Sequence, residues 1–292
     1  MSNLPKIRVA IFAHNEEQKI ERSLTHVLCE LDSFEDAQIR VLINGCTDNT
    51  NKVVAGMVEK YDGRIAAYEY KLGDKAATWN RYLYEVSEKD ADETIQIFMD
   101  GDIWPEPGSI LKMALALGEM PNVSVIGGLP MCGRNQDRYR RLAVDKHLIY
   151  GGIYATRGAW LSWARGVGFR IPAGLIADDA VLTNAFTTLP NDLRKSNLQR
   201  VHHLSDCGYR FTPIRPWRLK DLRLYLRRMV RYRLADEQLR VMGWRWPDEM
   251  PENVDAVNQS VLADLKQSGR RMSLVDYRLR KELEQRYGRG AA

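Results

Sequence analysis

Two carboxylates one residue apart, in Asp100-Gly101-Asp102, follow directly on the apolar run Thr94–Met99. At the end of an extended segment, side chains two residues apart point to the same side. Such a pair repels itself unless a cation sits beside it, and its hard oxygen donors suit Mg2+ or Mn2+. Taken alone, the triplet reads almost as well as an Asp-Gly turn. A second acidic pair, Asp178-Asp179, follows the glycine-rich stretch from Gly166 to Gly174 and precedes Ala180-Val181-Leu182. Aspartates in that place also suit a helix start. If the two clusters face each other, one can hold a metal that neutralises a phosphate leaving group. The other can then remove a proton from the nucleophile. His202-His203 follow a predicted strand and offer His203 as a further metal ligand, although a surface histidine pair is more often inert. His14 reads as a turn residue with a hydrogen-bonded ring. Trp160 and Trp163 suit core packing at least as well as stacking on a ligand.

The elements that would carry these groups alternate between apolar runs and amphipathic stretches, the pattern of an α/β fold with a mostly parallel sheet. Strands are predicted at Ile7–Ala13, Ile39–Ile43, Ile65–Tyr70 and Thr94–Met99, and helices at Gln18–Leu31, Thr50–Lys60 and Lys75–Val86. Asn44-Gly45 closes the second strand as a turn. Strands ending at Ala13, Ile43 and Met99 place their polar loops on one sheet edge, where ligands bind in open α/β sheets. The site is therefore expected from His14–Glu17, Asn44–Asp48, Gly73–Lys75 and Asp100–Asp102. Beyond Pro107 the pattern is less regular, with strands read at Val123–Gly128 and Gly151–Ala155 and a helix after Asp179. Beyond Pro213 it is helical and basic.

In this order the motifs resemble those of the family 2 glycosyltransferases, which share the GT-A fold, from about Ile7 to Tyr232. Ala10-Ile-Phe-Ala-His-Asn-Glu-Glu17 looks like the family's first strand and its A-x-N-E-E turn. Asn44-Gly-Cys-Thr-Asp48 with Asn49-Thr50 is similar to its D-N-G-S-T-D-x-T loop, and Gly73-Asp-Lys-Ala-Ala77 with Asn80 to its G-K-A-x-A-x-N segment. Asp100-Gly-Asp102 stands where its D-x-D belongs and Ala177-Asp-Asp179 where its E-D pair belongs. Arg228-Met-Val-Arg231-Tyr232 resembles the late Q-x-x-R-W motif.

The resemblance implies a GT-A, nucleotide-diphospho-sugar transferase fold over residues 1–212, with a nucleotide-binding half to about 105 and an acceptor half from about 106. A basic helical extension fills 213–292. It implies an inverting, non-processive transferase that moves a sugar from a nucleotide-diphosphate donor to a sugar, lipid-linked or small-molecule acceptor. Asp102 would ligate Mn2+ or Mg2+, Asp100 would contact the metal or the ribose, and Asp179, beside Asp178, would be the general base. Ala13, Asn15, Glu16, Asn44 and Lys75 would line the nucleotide pocket. Arg228 and Arg231 would reach the diphosphate or an acceptor phosphate, as guanidinium pairs bidentately with oxyanions. Asn44 and Ile43 replace acids usual in the family, Asp178 replaces Glu, and Arg228 and Tyr232 replace Gln and Trp.

Composition narrows the alternatives. The apolar fraction of 45% supports a packed core. Cys29, Cys46, Cys132 and Cys207 form no Cys-x-x-Cys pair, which argues against a zinc site and fits a reducing, cytoplasmic setting. No apolar stretch approaches the roughly 18–20 residues needed to cross a bilayer. The net charge of +5 is concentrated: between Arg215 and Arg245 there are ten Lys or Arg, against Asp221, Asp236 and Glu237. There Leu219, Leu222, Leu226, Met229, Val230 and Leu234 recur at helical spacing. Such a helix either packs on the catalytic domain or touches an anionic membrane as a peripheral contact. No nucleic-acid reader motif accompanies it, so no nucleic-acid partner is expected. A sugar-1-phosphate nucleotidyltransferase would carry a glycine-rich loop after the first strand, where this chain has His14-Asn15-Glu16-Glu17. An inactive relative that only binds a nucleotide-sugar would not need Asp100, Asp102 and Asp179.

Overall fold

The computed structural model describes residues 4–213, 219–267 and 272–288. The chain begins with β1 (Ile7–Ala13), α1 (Ile20–Leu31), β2 (Ala37–Asn44), α2 (Thr50–Lys60), β3 (Ile65–Tyr70) and α3 (Lys75–Arg81). It continues through β4 (Ile95–Asp100), β5 (Ile103–Pro105), α4 (Ser109–Glu119), β6 (Val125–Pro130), α5 (Gln136–Lys146), β7 (Ile153–Arg157) and α6 (Gly158–Gly166). Then come α7 (Asp178–Thr187), the small ribbon β8 (Thr188–Leu189) and β9 (Asp192–Ser196), and β10 (Val201–Phe211). Three helices close the chain: α8 (Leu219–Met242), α9 (Asp255–Gln267) and α10 (Leu274–Tyr287).

Eight strands form one sheet in the order β3-β2-β1-β4-β7-β6-β10-β5. The β1 strand pairs in parallel with both β2 and β4, and β2 with β3. Buried on both faces, β1 is apolar apart from Arg8 near its start. Ile7, Val9, Ile11 and Ala13 enter the core beneath α1, α2 and α4, while Ala10 and Phe12 enter the opposite core with Trp79, Trp160, Phe169 and Phe186. The result is a three-layer α/β/α arrangement with a mostly parallel sheet.

Three features differ from the sequence reading. Strand β7 runs antiparallel between β4 and β6, and an apolar run carries no sign of its direction. The helix read at Lys75–Val86 is α-helical only to Arg81 and ends in a π turn, Tyr82–Val86. There the buried Tyr82 hydroxyl donates to Gln96 Oε1 at 2.5 Å. Helices α4, α5 and α6 were not anticipated. Along α5 only Ala143 is buried, so that helix has no apolar stripe to read.

Beneath the sheet's other end lies an ion pair. Arg40 donates from both terminal nitrogens to Asp90, at 2.6 and 2.8 Å, with each side chain only 9% exposed. Asp90 also accepts from Gln96 at 3.0 Å. Asp90→Ala would leave the guanidinium buried without its carboxylate. We expect a loss of about 3–5 kcal/mol in urea unfolding, whereas a neutral result would mean that solvent reaches Arg40.

The C-terminal helices form a small core of Val230, Val261, Leu262, Leu265, Leu279 and Leu283, while Met242 and Val254 pack into the core shared with Trp79 and Phe169. Of the apolar residues read along α8, Val230 is buried and Leu234 packs on that small core. Leu222 is exposed, as are Leu224 and Tyr225 nearby. Arg215, Trp217 and Arg218 lie outside the described residues, as does the side chain of Leu219. No helix among the described residues is long and apolar enough to cross a membrane.

Candidate active site

Because β1, β2 and β4 are parallel, the loops after them gather on one edge. The β1 turn is tied to the β2 loop by polar side chains. Asn15 adopts a left-handed φ of 56° and accepts from Thr47 N at 2.7 Å, a conformation Asn tolerates better than most residues. His14 Nδ1 lies 2.6 Å from the Asn44 carbonyl, so its ring is a turn fixture. Glu16 N donates to Thr50 Oγ1, and Asp48 accepts from Glu17 N and Thr50 N. Ala13 is fully buried under Gly101, whose added Cβ would lie 3.0 Å from the Phe12 carbonyl. A side chain at position 101 would press on the β1 backbone, a crowding that glycine avoids.

On this edge two lysines meet the acidic groups. Lys75, the first residue of α3, lies 2.8 Å from Asp100 and 3.2 Å from Asp178. Lys19 lies 2.9 Å from Glu16 and 3.4 Å from Asp102. Residues more than a hundred positions apart in sequence thus share one charged cluster. Partial burial pushes Asp100 up to about 6, with Asp102 adding repulsion and Lys75 opposing it. Burial raises Glu16, and Asp102 adds to the rise. The Asp100 and Asp178 carboxylates hold Lys75 well above its ordinary value despite burial, so it stays an ammonium. Asp179 is pushed up to about 6, first by burial and then by Asp178 beside it. Its Oδ1 accepts from Ala180 N at 2.9 Å in the first turn of α7.

Asp100 and Asp102 therefore stand as two hard oxygen donors, each now facing an ammonium group. No set of three or more His, Cys, Asp or Glu suited to a metal exists among the described residues. A small divalent cation that keeps water and takes its remaining ligands from phosphate needs no such cage. The residues present fit that kind of ion.

Other expected positions fall elsewhere. His203 lies within β10, its Nε2 donating to the Leu148 carbonyl at 3.0 Å. Burial pushes it down to about 4, and the charged groups acting on it are His202 and His147 rather than the carboxylates. Asn44 is buried, and its amide oxygen accepts from Asp74 N at 2.8 Å and Thr78 Oγ1 at 2.9 Å. That oxygen shapes the Gly73–Lys75 loop. Arg228 and Arg231 lie on α8, Arg228 half-buried and Arg231 exposed. Trp160 packs on Phe186 with ring centroids 4.0 Å apart, so it belongs to the core.

Residues the sequence reading missed complete the cluster. Lys19 could have been found three positions after Glu16, the spacing of a helical ion pair. Asp74 caps α3 through Ala77 N, and its place before Lys75 is the signal. Tyr209 packs on Gly152, whose added Cβ would lie 2.4 Å from the ring, and Gly152 O accepts from Asp100 N. Tyr150 stacks edge-on with the exposed Tyr139, ring centroids 5.8 Å apart, on the way into β7. Nothing in sequence spacing links these tyrosines to the carboxylates.

The order of strands and the flanking helices match the GT-A fold of solved glycosyltransferases. The chain belongs to glycosyl transferase family 2, whose model matches residues 8–182, more than half of it. It is a glycosyltransferase, and the nucleotidyltransferase alternative falls away. Among solved structures it resembles the mannosyltransferase PcManGT from Pyrobaculum calidifontis in complex with GDP-Man and Mn2+. That match has a TM-score of 0.58 at 18% identity and covers 96% of this chain and 80% of the other. It also resembles glucosyl-3-phosphoglycerate synthase from Mycobacterium tuberculosis in complex with Mn2+, UDP-glucose and phosphoglyceric acid. There the TM-score is 0.53 at 18% identity, over 80% of this chain and 78% of that one. At these identities the likeness speaks to fold. No curated protein matches the chain by sequence.

Proposed function

We propose that this enzyme transfers a single sugar from a nucleotide-diphosphate donor to an acceptor hydroxyl, with inversion at the anomeric carbon. The observation that carries the reading is the Lys75 bridge, which brings Asp178-Asp179 to the Asp100–Asp102 turn. Asp102 and Asp100 would hold Mn2+ or Mg2+. When bound, that cation would offset the charge that builds on the departing diphosphate. Asn15 and Glu16 line the donor side, while Ala13, fully buried, only supports the Gly101 turn, and Asn44 fixes the loop that presents Lys75. Asp179 takes the acceptor proton as the acceptor oxygen bonds to the anomeric carbon. The bond from that carbon to the phosphate oxygen breaks on the opposite face, and the nucleoside diphosphate leaves with the electron pair. A side chain poised near 6 is ionised at neutral pH yet basic enough to accept that proton. Arg228 and Arg231 supply cationic reach toward donor or acceptor phosphate. With the exposed Leu222, Leu224 and Tyr225, they also suit an acceptor carried on an anionic membrane surface.

The decisive experiment incubates the protein with a panel of nucleotide-sugars, with Mn2+ or with EDTA, and follows donor hydrolysis and transfer by NMR. We expect one donor to be consumed in a cation-dependent way and the released or transferred sugar to have the opposite anomeric configuration. Retention of configuration, or no binding of any nucleotide-sugar with Mn2+ present, would overturn the proposal.

A further inference from the structure

The C-terminal helices grip the loop that delivers the two aspartates. Gln238 of α8 is fully buried, and the three hydrogen bonds of its side-chain amide run to this loop or to α9. Its Oε1 accepts from Ile176 N at 3.0 Å, and its Nε2 donates to Gly174 O at 3.2 Å and to Asn258 Oδ1 at 3.0 Å. The chain of bonds continues outward: Asn258 Nδ2 donates to the Tyr287 hydroxyl at 3.0 Å, which donates to Asp255 at 2.7 Å. It also continues inward. Gly174 N donates to Asp74 Oδ2 at 2.6 Å, and Asp74 N donates to Asn44 Oδ1. The backbone just before α9 adds two more ties, Ala173 N to Glu252 O at 2.9 Å and Val254 N to Ala173 O at 3.0 Å. Gly174 itself has a φ of +81°, and an added Cβ would lie 3.0 Å from Val254 Cγ2.

This continuous path runs from the end of β2, through the cap of α3, across the catalytic loop and into the last three helices. Asp74 holds the helix that presents Lys75, and Gln238 holds the loop that presents Asp178. The Lys75–Asp178 contact is therefore fixed from both sides. We infer that Gln238 is a positioning residue for sugar transfer, setting the register of Asp178 and Asp179 against Lys75 from within the C-terminal helices. On this account α8, through Gln238, acts on the active-site loop directly, whereas Asn258 on α9 only braces Gln238 from behind. The inference rests on the reading of Asp179 as the base, and its consequence for loop order does not.

The test uses the full chain. Gln238→Leu keeps the buried volume and removes the bonds to Ile176 and Gly174. Asn258→Leu removes the bond from Gln238 to α9 and leaves the loop bonds in place. By hydrogen exchange without substrate, Gln238→Leu should speed exchange of the Ile176 amide and of the first turn of α7, and Asn258→Leu should not. In transfer assays Gln238→Leu should lower kcat by about tenfold or more with donor KM within about twofold, while Asn258→Leu lowers Tm and keeps kcat. Gly174→Ala disturbs the same loop from its other side and serves if Gln238→Leu does not fold; the same loss of kcat is expected. Equal kcat losses in Gln238→Leu and Asn258→Leu at matched Tm would show a stability effect and overturn the inference. Unchanged exchange at Ile176 in Gln238→Leu would overturn it independently of any activity. If exchange responds as described and the native protein transfers no sugar, it is the functional proposal that fails.

Discussion

Asp179→Asn should abolish transfer while leaving donor binding intact, with a loss of about 10²–10⁴-fold in kcat, the usual worth of a general base. Isothermal titration of donor with Mn2+ and a transfer assay read the two properties separately, and a variant that transfers at the native rate would end the assignment. The acid side of the pH profile offers a second check. The base works only when deprotonated, so activity should climb through about pH 6 and flatten above it. Burial and Asp178 raise the group, and removing the second cause in Asp178→Asn should move that rise to lower pH. Stability should move the other way from activity. A carboxyl whose folded value exceeds its ordinary one favours the folded state at low pH. That contribution is lost as pH rises from about 4 to about 6. Asp179→Asn should therefore raise Tm at pH 7–8 and change it little near pH 3. An active site that costs stability in this way is a common trade.

Asp102→Ala should remove cation-dependent donor binding, by at least about 100-fold, since even groups that only support a metal ligand cost 10–100-fold when lost. Mn2+ titration followed by electron paramagnetic resonance, with and without donor, measures this directly. The side chain is 27% exposed and its partner Lys19 is 38% exposed, so the fold should not suffer. Removing this charge also relieves the repulsion acting on Glu16 and Asp100. Both carboxyls should then ionise at lower pH. If Asp102→Ala binds donor and Mn2+ as the native protein does, the cation is held by other groups.

The parts of this molecule that were legible in sequence are those governed by local rules. The β1, α2 and β3 boundaries follow from apolar periodicity and are found where it puts them. The gathering of loops after β1, β2 and β4 follows from parallel pairing, and Asp100, Asp178 and Lys75 do come together. What was hidden depends on distant partners. The reversed direction of β7 leaves no trace in Ile153–Arg157, and Arg-rich α5 has no stripe to betray it. Asn44 reads as a nucleotide-pocket residue by its place in a motif, yet its oxygen is committed to Asp74 and Thr78. His203 looked available for metal because a pair of histidines says nothing about the Leu148 carbonyl waiting for one of them. Gln238 could not be singled out at all: its importance lies in three bonds to residues at least twenty positions away.

The insertion of β7 beside β4 also has a bearing on how the chain is made. Ile95–Asp100 leaves the ribosome with β1 already available on one side, but its other neighbour is not synthesised until Ile153. At about 5–20 residues per second, that interval lasts seconds. Throughout it, an apolar strand edge stands open to any other nascent or aggregating polypeptide.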